Sequence, residues 1–137
     1  MIFLDTNIVS ELMHKAPDPG VVAWLERHDA DLALSTIVIG EIAFGIEKIR
    51  PAERAGRLTR DFDELRRRYA DRIFGFSEAA ALAYGALMGE RSRAGRPMAI
   101  ADGMIAAIAK THDARLATRN LADFEGLGLE LIAPWAG

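Results

Sequence analysis

Four acidic side chains stand at positions where they could do chemistry together: Asp5, Glu41, Asp102 and Asp123, with Asn120 just ahead of the last. Asp5 ends the apolar run Ile2-Phe3-Leu4 and is followed by Thr6-Asn7, so it reads as a carboxylate at the carboxyl end of a buried strand, where open α/β sheets place their ligands. The competing reading is that Asp5 or Thr6 merely caps the next helix. Glu41 borders an apolar helical stripe formed by Val38, Ile42, Gly45, Ile46 and Ile49, which predicts that it is partly buried. Asp102 is the sole acid of Ala101–Ala109 and heads that helix's buried face, although capping would also account for it. Asn120 and Asp123 follow the short run Arg115–Thr118.

These positions presuppose elements that carry them to one place. Apolar strands are expected at Ile2–Leu4, Leu32–Ser35, Ile73–Phe76, Arg115–Thr118 and Leu129–Ile132. Between them lie helical patterns: one beginning near Ile8, one after the Asp18-Pro19 cap, one opened by Ser35-Thr36, one along Arg50–Arg72, one capped by Ser77 and one through Ala101–Ala109. Val21, Trp24, Leu25 and His28 share a stripe, so His28 reads as a core or boundary side chain. Arg66-Arg67-Arg68 reads as a solvated helix face. Gly40 and Gly45 weaken their helix by roughly a kcal/mol each, which makes sense if another backbone or a partner approaches them. The Ala- and Gly-rich helix after Ser77 (Ala79, Ala83, Gly85, Ala86, Gly89) should pack close to a neighbour. Strands alternating with helices imply an α/β fold, a mostly parallel sheet of four or five strands with helices on both faces. Right-handed crossovers bring the strand ends to one edge.

Several carboxylates crowded at such an edge repel one another unless protons or cations neutralise them. With no cysteine in the chain, and with His14, His28 and His112 far apart in sequence, the donor set favours a hard ion, Mg²⁺ or Mn²⁺, over zinc. One or two such ions suit phosphodiester hydrolysis by an activated water. In that scheme Asp5 and Asp102 hold the first metal, and Glu41 completes the shell or orients the water. Asn120 or Asp123 helps a second ion. Thr6 or Thr118 hydrogen-bonds a water or a phosphate oxygen, and Asn7 supports the turn. Because the acids repel a polyanion, Arg91, Arg93, Arg96 and Arg119 are the candidate nucleic-acid contacts.

Composition narrows the field. A chain of 137 residues, half of them apolar, fits one domain spanning 1–137 with a real core. Seventeen Lys and Arg against 20 Asp and Glu give a net charge of -3, so no overall positive field announces a nucleic-acid binder and local basic patches are required. The absence of cysteine, of a basic-then-apolar leader and of any stretch long enough to cross a bilayer points to a cytoplasmic protein without membrane association. Neither the phosphate-binding loop nor the three-glycine dinucleotide pattern occurs. Gly75-Phe76-Ser77-Glu78-Ala79 lacks the closing glycine of a nucleophile elbow.

Phe3-Leu4-Asp5-Thr6-Asn7 with Ser10-Glu11, the stretch from Ser35 to Gly45 around Glu41, Ala101-Asp102-Gly103 to Ala109, Ala117-Thr118-Arg119-Asn120 and Pro134-Trp135 together resemble the PIN-domain ribonucleases, specifically toxins of the VapC and FitB type from type II toxin–antitoxin operons. The resemblance covers almost the whole chain. It implies a three-layer α/β/α sandwich, Mg²⁺- or Mn²⁺-dependent cleavage of RNA, a homodimer that pairs further in some assemblies, and a cognate antitoxin that blocks the cleft. The family's first three acids fall on Asp5, Glu41 and Asp102; its fourth acidic position matches Asn120, with Asp123 close enough to substitute. Two rivals stand beside this reading. A phosphatase of the haloacid dehalogenase type would use Asp5 as nucleophile, but its second acid is Asn7 here and no partner lysine follows a later strand. A non-catalytic module would use the acids to receive a basic partner peptide.

Overall fold

A computed structural model describes residues 1–136. Five strands form one sheet in which every pairing is parallel: β1 (Ile2–Leu4), β2 (Leu32–Ser35), β3 (Ile73–Phe74), β4 (Arg115–Ala117) and β5 (Leu131–Ile132). Their order across the sheet is β3-β2-β1-β4-β5, which puts β1 at the centre. Ile2, Phe3 and Leu4 are at most 1% exposed, as a strand covered on both faces requires. Ile2 registers with Leu32 on one side and with Arg115 on the other. The ladder runs one residue past β1, because the Asp5 amide donates to the Ala117 carbonyl at 2.9 Å.

The helices are α1 (Thr6–Leu12), α2 (Pro19–His28), α3 (Thr36–Lys48), α4 (Arg54–Arg68), α5 (Glu78–Arg93) and α6 (Ile100–Thr111), which flank the sheet to give the expected α/β/α architecture. Starts follow the sequence signals: Asp18 accepts from the Val21 amide at 3.1 Å, Ser35 from Val38 at 3.2 Å and Ser77 from Ala80 at 3.1 Å. α1 begins at Thr6, two residues before the apolar pattern resumes at Ile8, since Asp5 caps it. The outer strands β3 and β5 are two residues each, shorter than the expected runs, because only those residues reach a neighbour's ladder.

The core holds the apolar faces of β1, β2 and β4 against α1, α3 and α6, including Ile8, Val38, Ile105, Ile108 and Leu116, each at most 1% exposed. Burying each such side chain contributes about 1.5–3 kcal/mol. The α5 helix packs closely on α6, as its small residues lead one to expect, and the structure refines where small residues matter. Nothing outside their own helix lies within 4 Å of a Cβ placed on Gly40 or Gly45, so among the described residues no other element approaches them closely, which leaves a partner as the remaining reason for them. The tight contact between α5 and α6 is at Gly103, where a Cβ would stand 2.5 Å from the Met88 sulfur and 3.1 Å from the Tyr84 ring, while Ala79, Gly85 and Ala86 of α5 face outward. Arg67 is solvated, as the basic run suggests, but Arg68 reaches across to Asp29 at 2.9 Å, where Tyr69 also donates at 2.6 Å.

Candidate active site

The parallel ladder brings the carboxyl ends of β1 and β4 side by side, and the heads of α1 and α6 and the first turns of α3 open onto the same edge. A cleft of about 420 Å³ there is lined by Asp5, Thr6, Asn7, Ser10, Glu11, His14, Glu41, Asp102, Arg119, Asn120 and Asp123. All four sequence-selected acids therefore share one cleft, joined by Thr6, Asn7, Arg119 and Asn120.

Asp5 is 5% exposed and does both things that its sequence position allowed. Its Oδ1 accepts from the Thr6 amide at 2.8 Å and so caps α1; its Oδ2 accepts from the Thr118 hydroxyl at 2.8 Å and from Asn7 Nδ2 at 3.2 Å. Burial pushes its pKa above the ordinary value. The Thr118 and Thr6 hydrogen bonds oppose that rise, and the negative charges of Glu41 and Asp123 add to it. Asp102 makes none of the hydrogen bonds that would identify a cap, and α6 starts without a side-chain cap. Its pKa is pushed up to about 6, first by burial and then by the charges of Asp5, Asp123 and Glu41. Asp5 and Asp102 thus each feel the charge of Glu41 and Asp123, although those two are solvent-exposed.

This geometry corrects the expected burial of Glu41 and shows where Thr118 and Arg93 stand. Glu41 is exposed rather than partly buried, because the cleft opens over that side of α3; Thr6 Oγ1 donates to its Oε1 at 2.5 Å. Thr118 is fully buried, and its hydroxyl is spent on Asp5 and on accepting from the Asn120 amide at 3.1 Å, so it orients the acid instead of reaching a phosphate. Arg93 lines neither the cleft nor the cavity of about 460 Å³ beside it, which Arg91, Arg96, Asp102 and Asp123 share. Arg91 is itself held by the Arg96 and Glu125 carbonyls at 2.8 and 2.9 Å. Arg119 sits over the Trp135 ring, 4.9 Å from its centre, and its amide donates to Asn7 Oδ1 at 3.1 Å.

Spacing alone did not find the α1 side of the cleft, Ser10, Glu11 and His14; Ser10 and Glu11 entered only through the family resemblance, and His14 not at all. Glu11 is 8% exposed and accepts from the Asp18 amide at 3.0 Å, with His14 Nδ1 at 3.3 Å. The available signal was an acid repeating at i+6 from Asp5 on a helix too short to show a clear polar face.

Carboxylate oxygens dominate the donor set, and Arg119 is the one Lys or Arg among the described residues that lines the cleft beside five acids, which fits a hard divalent cation. Among the described residues no three His, Asp or Glu side chains close on one point, as mutually repelling carboxylates would not without a cation between them. The phosphatase arrangement is not favoured here: Asn7, where the second acid would stand, serves as a hydrogen-bond donor to Asp5, and no lysine lines the cleft among the described residues.

The sequence profile of the PIN domain matches residues 2–126. The chain is 36% identical over 137 residues to VapC ribonuclease Y4jK of Sinorhizobium fredii, covering 98% of each. It is 33% identical to Toxin FitB of Neisseria gonorrhoeae, covering 98% of this chain and 99% of that one. Among solved structures, FitAcB from Neisseria gonorrhoeae superposes with a TM-score of 0.90 at 33% identity, covering 98% of this chain and 99% of its counterpart.

Proposed function

We propose that this chain, which belongs to the PIN-domain family and within it to the VapC and FitB toxins, is an endoribonuclease that cuts RNA phosphodiester bonds with the help of Mg²⁺ or Mn²⁺ and is silenced by a cognate antitoxin. The observation that carries the catalytic part is the convergence of Asp5, Glu41, Asp102 and Asp123 on one cleft, with Asp5 and Asp102 both held above the ordinary carboxylate range by burial and by their acidic neighbours. When bound, one or two divalent cations supply charge neutralisation at the phosphate and a more acidic water.

The residues themselves divide the work. Asp5 and Asp102 would hold the cation, Asp5 with its second oxygen oriented by Thr118 and Asn7. Asp123 is the further acid in reach of both, and Asn120, whose amide is tied to Thr118, shapes the turn that presents it. Glu41, its outer oxygen steadied by the Thr6 hydroxyl, orients the attacking water and takes its proton. Arg119, Arg91 and Arg96 offset the repulsion between the acids and the incoming phosphates. The family resemblance implies a homodimer and an antitoxin that occupies the cleft.

The test is direct. Purified full-length chain is mixed with labelled RNA in Mg²⁺, in Mn²⁺ and in EDTA; cleavage is expected in the first two and absent in the third, and absent throughout for Asp5→Asn and Asp102→Asn. Cleavage that persists in EDTA rules out the metal reading. In cells, expression alone should arrest growth, and co-expression of the gene product encoded next door should relieve it.

A further inference from the structure

A strand of RNA is longer than the cleft that cuts it, and the surface around this cleft has two ends. At one end lies the cavity of Arg91 and Arg96, which shares Asp102 and Asp123 with the cleft. At the other, Thr6, Ser10, His14 and Glu41 lead into a groove of about 230 Å³ floored by Met13, Ile42, Gly45, Ile46 and Leu58. Beyond that groove is a third concavity of about 410 Å³, lined by Lys15, Glu53, Arg54, Gly56, Arg57 and Arg60. Its neighbours in sequence, Met13 and His14 on one side and Leu58 on the other, line the groove, and Arg57 Nη1 donates to the Met13 carbonyl at 3.1 Å, so the surfaces join.

We propose that this concavity binds the RNA backbone several nucleotides away from the scissile phosphate, a reading that rests on the ribonuclease function above. Four cations stand against one carboxylate there, in a chain whose net charge is -3. Arg54, Arg57 and Arg60 are spaced by three residues on α4, roughly 4.5 Å apart along the helix axis, so they form a row. Lys15, Arg54 and Arg60 are exposed and belong to none of the ion pairs among the described residues, whereas Arg57 is half-buried and fixed by Met13 and by Asp61 at 3.2 Å. A positively charged groove is the part of a single-strand binding site that tracks the backbone without reading sequence, and among the described residues this one lacks the aromatic residues on which bases would stack. The row also explains how a strand repelled by five cleft acids stays attached: cations at both ends hold what the middle repels.

The experiment uses full-length Asp102→Asn protein, which holds RNA without cutting it, and a fluorescein-labelled single-stranded RNA of about 20 nucleotides, long enough to span more than one contact patch. Anisotropy titrations at several salt concentrations give the slope of log Kobs against log salt. Losing three phosphate contacts lowers that slope by about 2 on single strands, at about 0.7 per contact. The added triple change Lys15→Ala, Arg54→Ala, Arg60→Ala is expected to do this, and Lys15→Arg, Arg54→Lys, Arg60→Lys to restore it. Arg67→Ala, exposed on the same helix but outside the concavity, should leave the slope where it was. Should the triple variant fold poorly by urea titration, Arg54→Ala and Arg60→Ala singly should each lower the slope by about 0.7.

An unchanged slope in the triple variant overturns the proposal, as does an equal fall in Arg67→Ala. So does a triple variant that keeps its RNA slope but no longer captures the gene product encoded next door, since the patch would then be a protein-binding surface. Failure here leaves wild-type cleavage intact; a wild-type chain that neither binds nor cuts RNA overturns the ribonuclease reading itself.

Discussion

Asp102→Asn should make the metal-free protein more stable while destroying its activity. Asp102 titrates at about 6 instead of 3.8, because it is half-buried among Asp5, Asp123 and Glu41. At 1.36 kcal/mol per pH unit, that displacement corresponds to roughly 3 kcal/mol, which partial exposure and solvent screening reduce to about 1–2 kcal/mol. The sign follows from linkage: the folded midpoint lies above the unfolded one, so the protonated side chain is favoured in the native state. The stability it contributes is full below pH 3.8 and is lost as pH rises through about 6. Above that, the ionised carboxylate is a burden that asparagine does not carry. In EDTA at pH 8, urea titration should therefore find Asp102→Asn more stable by about 1–2 kcal/mol, and near pH 4 the two proteins should coincide. Saturating Mg²⁺ should reverse the order, because an ion at 100 times its Kd stabilises only the protein that binds it, by about 2.7 kcal/mol. A variant that is equally or less stable at pH 8 in EDTA, or a gain that is the same at both pH values, refutes the crowding of charge on which the site assignment rests.

Three further outcomes are expected. Thr118→Val removes the buried hydroxyl from Asp5 and orphans the Asn120 amide; urea titration at pH 7 should show a loss of about 1.5–3 kcal/mol, with slower cleavage. Asp123→Asn should lower the midpoint of Asp102, followed by NMR of its side chain, and weaken Mg²⁺ binding measured calorimetrically, whereas Asn120→Ala should leave that midpoint unmoved because Asn120 carries no charge. Glu41→Gln keeps an acceptor for Thr6 on an exposed side chain, so stability should stay within about 0.5 kcal/mol while single-turnover cleavage falls by about 100-fold or more.

Much of the fold was legible because its central strands and long helices carry strong local patterns. Ile2-Phe3-Leu4 is apolar on both faces, as only a covered parallel strand is, and Ser35 and Ser77 announce helix starts through the same hydroxyl-to-amide bond. The outer strands were overextended, since Phe76 and Leu129 continue an apolar run without a ladder partner, and pairing is not encoded in any one segment. At the site, the convergence of Asp5, Glu41, Asp102 and Asp123 followed from strand and helix order alone. The burial of Glu41 did not, because a residue at the border of a helical stripe is covered only if something lies over it, and here the cleft does. Likewise the Thr118 hydroxyl is turned toward Asp5 by the pairing of β1 with β4, 113 residues apart in sequence. The short helix α1 hid Glu11 and His14, whose polar side becomes visible only once its apolar side is seen to be buried.

Gly103 gives the molecule a weak point of a genetic kind. It is next to Asp102, and the space a side chain would need is taken by Met88 and Tyr84. A larger residue there must push aside the Met88 thioether and the Tyr84 ring, and where these cannot give way α5 and α6 separate and the acid on the preceding residue moves with them. In a selection for cells that survive unopposed expression of this chain, suppressors should therefore arise at codon 103 as well as at codons 5, 41 and 102. The codon-103 survivors should make protein that is folded but harmless, an inactivation reached through the spacing of two helices with every acid still in place.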